Sequence, residues 1–251
     1  MTAATMPNWA RSDTDLSGST VLVIGGAGGV GEGVTCALLD AGATVVATGR
    51  TRARLDALAD RTASPRLATA TLDLLDPALP DAVAALVRRH GPPDAAVLSV
   101  ADWGGQGRKR LVDLTDQEWA ALVAQNQTSI FRAYRALVPA VSPGGMIAQL
   151  NGLSADLPFP GAGGVALTAA ATRSMTRTIA EEVRGDGPRI YEIVLGVIRP
   201  RPRRLAGVDD PGWIPAAHVG THVAELVAGS SPLTDSTLQY LVDVAEGPRA
   251  G

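Results

Sequence analysis

The stretch VIGGAGGVGEG, Val23 to Gly33, packs six glycines into eleven residues directly behind the β-branched run TVLVI. Backbone this bare lets a large, charged group come close. Two glycine registers fit. Gly26, Gly28 and Gly31 spell GxGxxG, while Gly25, Gly29 and Gly31 spell GxxxGxG. In either register the glycines permit a tight turn that aims the N-terminus of the following helix, beginning near Val30, at an anion.

The segments around the loop supply its context. TVLVIGG reads as a buried strand, GVGEGVTCALLDAGA as a helix closed by Gly42, and TVVATGR as a second strand. A helix over RTRARLDALADR and a third strand in RLATATLDLLD follow, then a helix over DAVAALVRRHG and a fourth strand in DAAVLSVA. One long helix is expected from Asp116 to Val141, opened by a Thr cap and an acidic first turn. GMIAQLNG is the fifth strand, Gly164 to Arg184 another long helix, and RIYEIVLG the sixth strand. This alternation predicts a single-domain Rossmann fold of class α/β: a doubly wound parallel sheet with helices on both faces. The domain is expected to span residues 16–251, behind a flexible N-terminal segment of residues 1–15.

A strand, a glycine turn and a helix in this order point to a dinucleotide, its pyrophosphate on the helix N-terminus. An acidic residue at the end of the second strand would bond a ribose 2′-hydroxyl, whereas Arg there accepts a 2′-phosphate. Gly49 is followed by Arg50, with Arg52 and Arg54 close behind, so NADP(H) is favoured over NAD(H). A glycine turn kept only for packing, with no cofactor, is the alternative.

Composition narrows the classes further. The 251 residues are 46% hydrophobic but only 4% aromatic, so Ala, Val, Leu and Ile must build the core. A net charge of −3 argues against a nucleic-acid-binding surface. The local basic run RPRPRR, Arg199 to Arg204, reads as a solvated loop. Cys36 is the only cysteine, which rules out an intrachain disulfide. The first seventeen residues lack a signal-peptide core, and no apolar run is long enough to span a bilayer. A cytoplasmic protein without membrane contact is expected. His218, His222 and Glu225 fall at helical spacing but lack the remaining features of a zinc motif, so no metal is expected and a plain helix surface is the reading.

The chain resembles the classical short-chain dehydrogenase/reductase family from Leu16 to about Val244. The first βαβ unit matches throughout. Asp73 and Leu74 match the family's adenine-contacting pair, and Asn126 matches the Asn of its catalytic tetrad. The resemblance implies cofactor contacts at Gly25, Gly29, Val30, Gly31, Arg50, Asp73, Leu74 and Ser99. It also implies dimers or tetramers assembled through the two long helices.

The departures cluster at the catalytic positions. The strand-four Asn-Asn-Ala-Gly becomes Leu98-Ser99-Val100-Ala101, and Gly152 stands where the catalytic Ser belongs. Val165 and Ala169 take the places of Tyr and Lys in YxxxK, and no Tyr or Lys occurs from Asn151 to Val183. After the sixth strand, Leu195-Gly196 replaces Pro-Gly and Pro200 replaces a nicotinamide-contacting Thr. A general acid is worth roughly 10²–10⁴ in rate, and its supporting cation is gone as well. Ser99, Asp102, Trp103, Asn151, Ser154, Asp156 and Thr168 remain near the expected pocket, with Asp102 and Asp156 as candidate acid–base groups beside Asn126. Val165, Ala169, Leu98 and Val100 imply an apolar pocket for a small molecule.

Three readings follow. The first is a non-catalytic or regulatory subunit, in a homo-oligomer or paired with an active relative. The second is a repurposed enzyme performing non-redox or substrate-assisted chemistry, such as cyclisation, isomerisation or dehydration. The third is an atypical NADPH-dependent reductase of an activated carbonyl.

Overall fold

A computed structural model describes residues 7–10, 13–208 and 210–251. The strands and helices of the first half alternate as β1 (Thr20–Ile24), α1 (Gly29–Asp40), β2 (Thr44–Gly49), α2 (Arg52–Thr62), β3 (Leu67–Thr71), α3 (Leu79–His90) and β4 (Ala95–Leu98). Helices α4 (Asp116–Val123) and α5 (Ser129–Leu137) then lead to β5 (Met146–Gly152), α6 (Gly163–Glu182) and β6 (Arg189–Leu195). The chain closes with β7 (Ile198–Arg199), α7 (Arg201–Leu205), β8 (Ile214–Pro215), α8 (Ala216–Ala228), β9 (Leu238–Leu241) and β10 (Arg249–Ala250).

The main sheet has the order β10-β9-β6-β5-β4-β1-β2-β3. Its pairings are parallel except for antiparallel β10 against β9. Strand order therefore reverses at β1, which lies between β4 and β2. Crevices for ligands form outside the carboxyl ends of strands at such a switch point.

Alternate residues of each strand feed two cores. Val21, Val23, Val97, Ala148 and Ile193 pack with α1 and α8 on one face. Leu22, Ile24, Leu98, Ile147 and Ile190 pack with α3, α5 and α6 on the other. Leu98 is fully buried in this second core, where the sequence expectation placed it at the wall of a pocket. The last glycine of the opening stretch is explained by packing: a Cβ on Gly33 would lie 2.5 Å from Ala216, so α1 and α8 touch backbone to backbone.

The helix expected from Asp116 to Val141 is interrupted by a π-helical turn over Ala124–Thr128. Thr115 caps its start with a full capping box to Glu118, as the sequence predicts. In the segment expected to be flexible, residues 1–6 and 11–12 lie outside the described residues. Asn8–Ala10 form a short 3-10 turn, and the Trp9 indole N–H donates to the Val244 carbonyl at 2.8 Å. No described helix is long and apolar enough to cross a membrane.

Candidate functional site at the switch point

The glycine loop sits where β1 ends. Gly25 takes φ +81°, a region L side chains disfavour, while the Gly25 and Gly26 N–H groups donate to the Thr48 carbonyl at 2.9 and 3.0 Å. A Cβ on Gly25 would fall 2.2 Å from the Ser99 carbonyl oxygen, and one on Gly31 2.1 Å from the Gly25 carbonyl oxygen. Ser99 thus shapes the loop through its backbone. Gly28 caps α1 without a side-chain hydrogen bond, and the carboxylate of Glu32 in the first turn is taken up by Arg61 at 3.0 Å. Unpaired helix N–H groups with a partial positive charge suit a pyrophosphate. A nicotinamide dinucleotide therefore fits the residues present. Above the loop, Pro200 would lie 3.1 Å from a Cβ on Gly29, so the segment after β6 forms the roof of the crevice.

Arg50 stands at the end of β2. One guanidinium nitrogen donates to Gln125 Oε1 at 2.8 Å, and the other to Asp102 Oδ2 at 3.1 Å. Asp102 belongs to the loop after β4, and its other carboxylate oxygen accepts from Gly104 N–H at 2.8 Å. The Asn126 amide holds the Asp102 backbone at both ends: Oδ1 accepts its N–H at 2.7 Å, and Nδ2 donates to its carbonyl at 2.8 Å. The π turn makes this possible by presenting Gln125 and Asn126 in succession toward the crevice, and the Thr172 hydroxyl secures it by donating to the Asn126 carbonyl at 3.1 Å. Asp73 is exposed with Oδ1 accepting from Leu75 N–H at 2.9 Å, and Leu74 is buried beneath it.

At the positions where the family resemblance puts Ser, Tyr and Lys, the side chains carry no acid or base. Gly152 ends β5, and a Cβ there would lie 3.3 Å from Ser154 Oγ, so a hydroxyl does stand beside the vacant position. Val165 is buried in the first turn of α6, and the Ala169 carbonyl accepts from Asn151 Nδ2 at 2.8 Å. Asn151 Nδ2 also donates to Glu192 Oε1 at 2.7 Å. Glu192 has no solvent exposure, and burial pushes its carboxyl up to about 7 against the opposing effects of Asn151, Thr176, Arg173 and Arg177. The Tyr134 hydroxyl extends this buried network by donating to Thr176 Oγ1 at 3.1 Å. Asp156 is engaged elsewhere, in an ion pair with Arg173. The structure thus joins Asn126 to Asp102 and Arg50, and leaves Asp156 outside that group. Thr168 donates only within its own helix, to the Gly164 and Val165 carbonyls.

Glu192, Gln125 and Arg173 escaped sequence reasoning. The signal for Glu192 was a lone carboxylate in the otherwise apolar run RIYEIVLG. Nothing local marks the other two.

The surface reading of His218 and His222 is corrected. Both are buried, because α8 packs closely against α1 and the two side chains reach Trp9 and Gln239. His222 Nε2 lies 2.6 Å from Gln239 Oε1, and burial pushes its imidazole down to about 4. The His218 ring meets Trp9 edge-on at 5.5 Å. Among the described residues no group of His, Cys, Asp and Glu could hold a metal ion.

Fold and crevice together define a doubly wound α/β protein of the Rossmann class. Residues 25–218 match the family described as enoyl-(acyl carrier protein) reductase. The chain belongs to the short-chain dehydrogenase/reductase family. It is 28% identical over 237 residues to gluconate 5-dehydrogenase of Gluconobacter oxydans, covering 90% of this chain and 91% of that relative. It is 29% identical over 211 residues to fluoren-9-ol dehydrogenase of Terrabacter, covering 74% of this chain but only 57% of that relative. An NADPH-bound short-chain oxidoreductase of Pseudomonas aeruginosa PAO1, described as containing an atypical catalytic center, superposes with a TM-score of 0.72 at 25% identity, over 88% of this chain and 93% of that one.

Proposed function

We propose that the chain is an NADP(H)-binding member of its family in which the standard alcohol–ketone site is lost, and that it serves as a non-catalytic or regulatory partner subunit. The observation carrying this reading is the side-chain set at Gly152, Val165 and Ala169: no hydroxyl, no phenol and no ammonium is attached where the reaction needs them. Asn126, the one tetrad position that matches, is spent on the Asp102 backbone.

A bound nicotinamide dinucleotide would supply hydride. The chain's own part is binding: α1's first turn for the pyrophosphate, Arg50 for the 2′-phosphate, and Asp73 with Leu74 for the adenine. The oligomer is proposed to form through α4, α5 and α6, whose surfaces expose Trp119, Phe131 and Leu167. Cys36 is a free thiol, in keeping with a reducing, cytoplasmic setting. No nucleic-acid or membrane partner is part of the proposal.

Three measurements test it. Calorimetry with NADPH should show binding that Arg50→Ala weakens. The purified chain should show no NADPH oxidation with simple ketones, while co-purifying with a relative that has an intact Tyr-x-x-x-Lys. Turnover of simple ketones by the chain alone would sink the reading.

A second reading is a redirected enzyme acting on a small apolar molecule, by non-redox chemistry or by reducing an activated carbonyl. It is favoured by Ser154 Oγ beside Gly152 and by the Trp103–Phe159 ring pair, 5.8 Å apart and partly exposed to solvent. Ser154→Ala should then abolish turnover of a substrate found by screening activated diketones and apolar cyclic ketones.

A further inference from the structure

Arg50 and Asp102 follow the ends of β2 and β4, the two strands that flank β1. Their ion pair therefore passes over the end of β1, across the crevice that begins at Gly25. Asp102 holds the Arg50 guanidinium at 3.1 Å in the manner of an anionic ligand, and Gln125 fixes the other nitrogen at 2.8 Å. The pair is open to water, with 55% of the Arg50 side chain and 27% of the Asp102 side chain exposed. Exposed pairs of this kind contribute about 0–1 kcal/mol, so a stronger anion can take the guanidinium away. Phosphate, with more charge and more acceptor oxygens than a carboxylate, is such an anion. The surroundings are built for the exchange. The Asp102 backbone is held by Asn126 rather than by its own carboxylate, and Gln125 keeps Arg50 oriented when the carboxylate leaves.

We propose that Asp102 tempers the nucleotide preference that Arg50 sets: its carboxylate is the resident occupant of the Arg50 phosphate seat, displaced by a dinucleotide bearing a 2′-phosphate and not by one bearing a bare 2′-hydroxyl. The proposal rests on the NADP(H) reading. It reassigns Asp102 from acid–base chemistry to nucleotide choice. Arg52 faces Asp56 on its own helix at 3.7 Å and Thr69 of β3 at 3.5 Å.

The test is calorimetric titration of NADPH, NADH and adenosine 2′-monophosphate into the wild-type chain, Asp102→Asn, Arg50→Ala and the double variant at low ionic strength. Asn at 102 keeps an oxygen for Gly104 N–H and removes only the charge. Asp102→Asn should tighten NADPH and adenosine 2′-monophosphate about three- to fivefold, the worth of one exposed ion pair. NADH should change by less than about twofold, and the gain should vanish in the Arg50→Ala background, as expected for a pair acting as one unit. Binding of NADPH that is unchanged or weakened by Asp102→Asn overturns the proposal alone. So does an equal gain for NADH. Failure of wild type and Asp102→Asn to bind any of the three nucleotides overturns the NADP(H) reading and the proposal with it.

Discussion

The side-chain amide of Asn126 bonds both backbone polar groups of Asp102, its N–H at 2.7 Å and its carbonyl at 2.8 Å, across 24 residues of sequence. Few amides are used so fully: Asn126 Nδ2 donates to the Leu122 carbonyl as well, at 3.2 Å. Asn126→Ala would leave these groups unpaired in a partly buried site. The expected loss of stability is about 1–3 kcal/mol, read by urea unfolding. Asn126→Asp, which keeps an acceptor and loses the amide donor, should fall between. Unfolding indistinguishable from wild type would contradict the clamp.

Two buried titratable groups give the protein an unusual acid–base balance. Glu192 is raised to about 7, so the folded state holds its proton more tightly than the unfolded state does. Its contribution is fully present below the unfolded carboxylate value and is lost as pH rises through 7. His222 is lowered to about 4, so its contribution is present above the unfolded imidazole value, and is lost as pH falls toward 4. Between about pH 4.5 and 6.5 the two slopes oppose each other and nearly cancel. Burial lowers the His218 imidazole as well and adds to the His222 side, so denaturant unfolding of wild type should show stability rising only gently with pH across that window. Glu192→Gln should tilt the profile so that stability rises with pH, with a gain on the order of 3 kcal/mol over wild type at pH 8. A slope across the window that Glu192→Gln leaves unchanged would refute the balance.

The loop glycines offer a sharper structural test. Gly31→Ala would set a methyl 2.1 Å from the Gly25 carbonyl oxygen, and that backbone oxygen cannot swing aside. Overpacking of this kind costs about 1–3 kcal/mol or more. The expected result is a lower Tm together with loss of NADPH binding. Gly29→Ala meets Pro200 at 3.1 Å, in a loop with more freedom, and should be milder in Tm. Equal Tm losses at the two positions would contradict this ranking.

Reinstating the missing groups tests whether chemistry was lost at the side chains alone. The triple variant Gly152→Ser, Val165→Tyr, Ala169→Lys should gain NADPH-dependent ketone reduction by about 10² or more over wild type, the scale of one general acid. A folded, NADPH-binding triple variant with no gain would show that the crevice itself has been remodelled.

Much of this architecture is legible in the chain because the decisive signals are local. The glycine turn lies within eleven residues, and the strands are apolar runs cut by glycine. Even the Thr115 cap reads directly. What stayed hidden depends on partners far away. Arg50 shows itself as a phosphate residue at a strand end, but its pairing with Asp102, 52 residues on, has no signature. His218 and His222 look like an exposed pair until Gly33 and Gly220 are seen to bring α1 and α8 close enough to bury them. The π turn leaves the apolar pattern on either side intact, so one continuous helix was the natural reading of Asp116 to Val141. At the site, the absences at Gly152, Val165 and Ala169 were plain in the sequence; the Glu192–Asn151 bond that fills the space behind them was not.

The π turn over Ala124–Thr128 also acts as a phase shifter. It takes in one residue more than an α-helical turn requires, so every residue after it stands about 100° from where an unbroken α-helix of the same sequence would put it. With that offset, Ile130, Ala133 and Leu137 face the core while Phe131 faces out. Deleting a single residue there would restore regular pitch and leave Ile130 facing the core, but it would take away the extra residue that lets Gln125 reach Arg50 and Asn126 reach Asp102. A length change of one amino acid would then spare the core face of α5 and unmake the crevice wall, so the extra residue serves Asp102 and Arg50 rather than the packing of the helix.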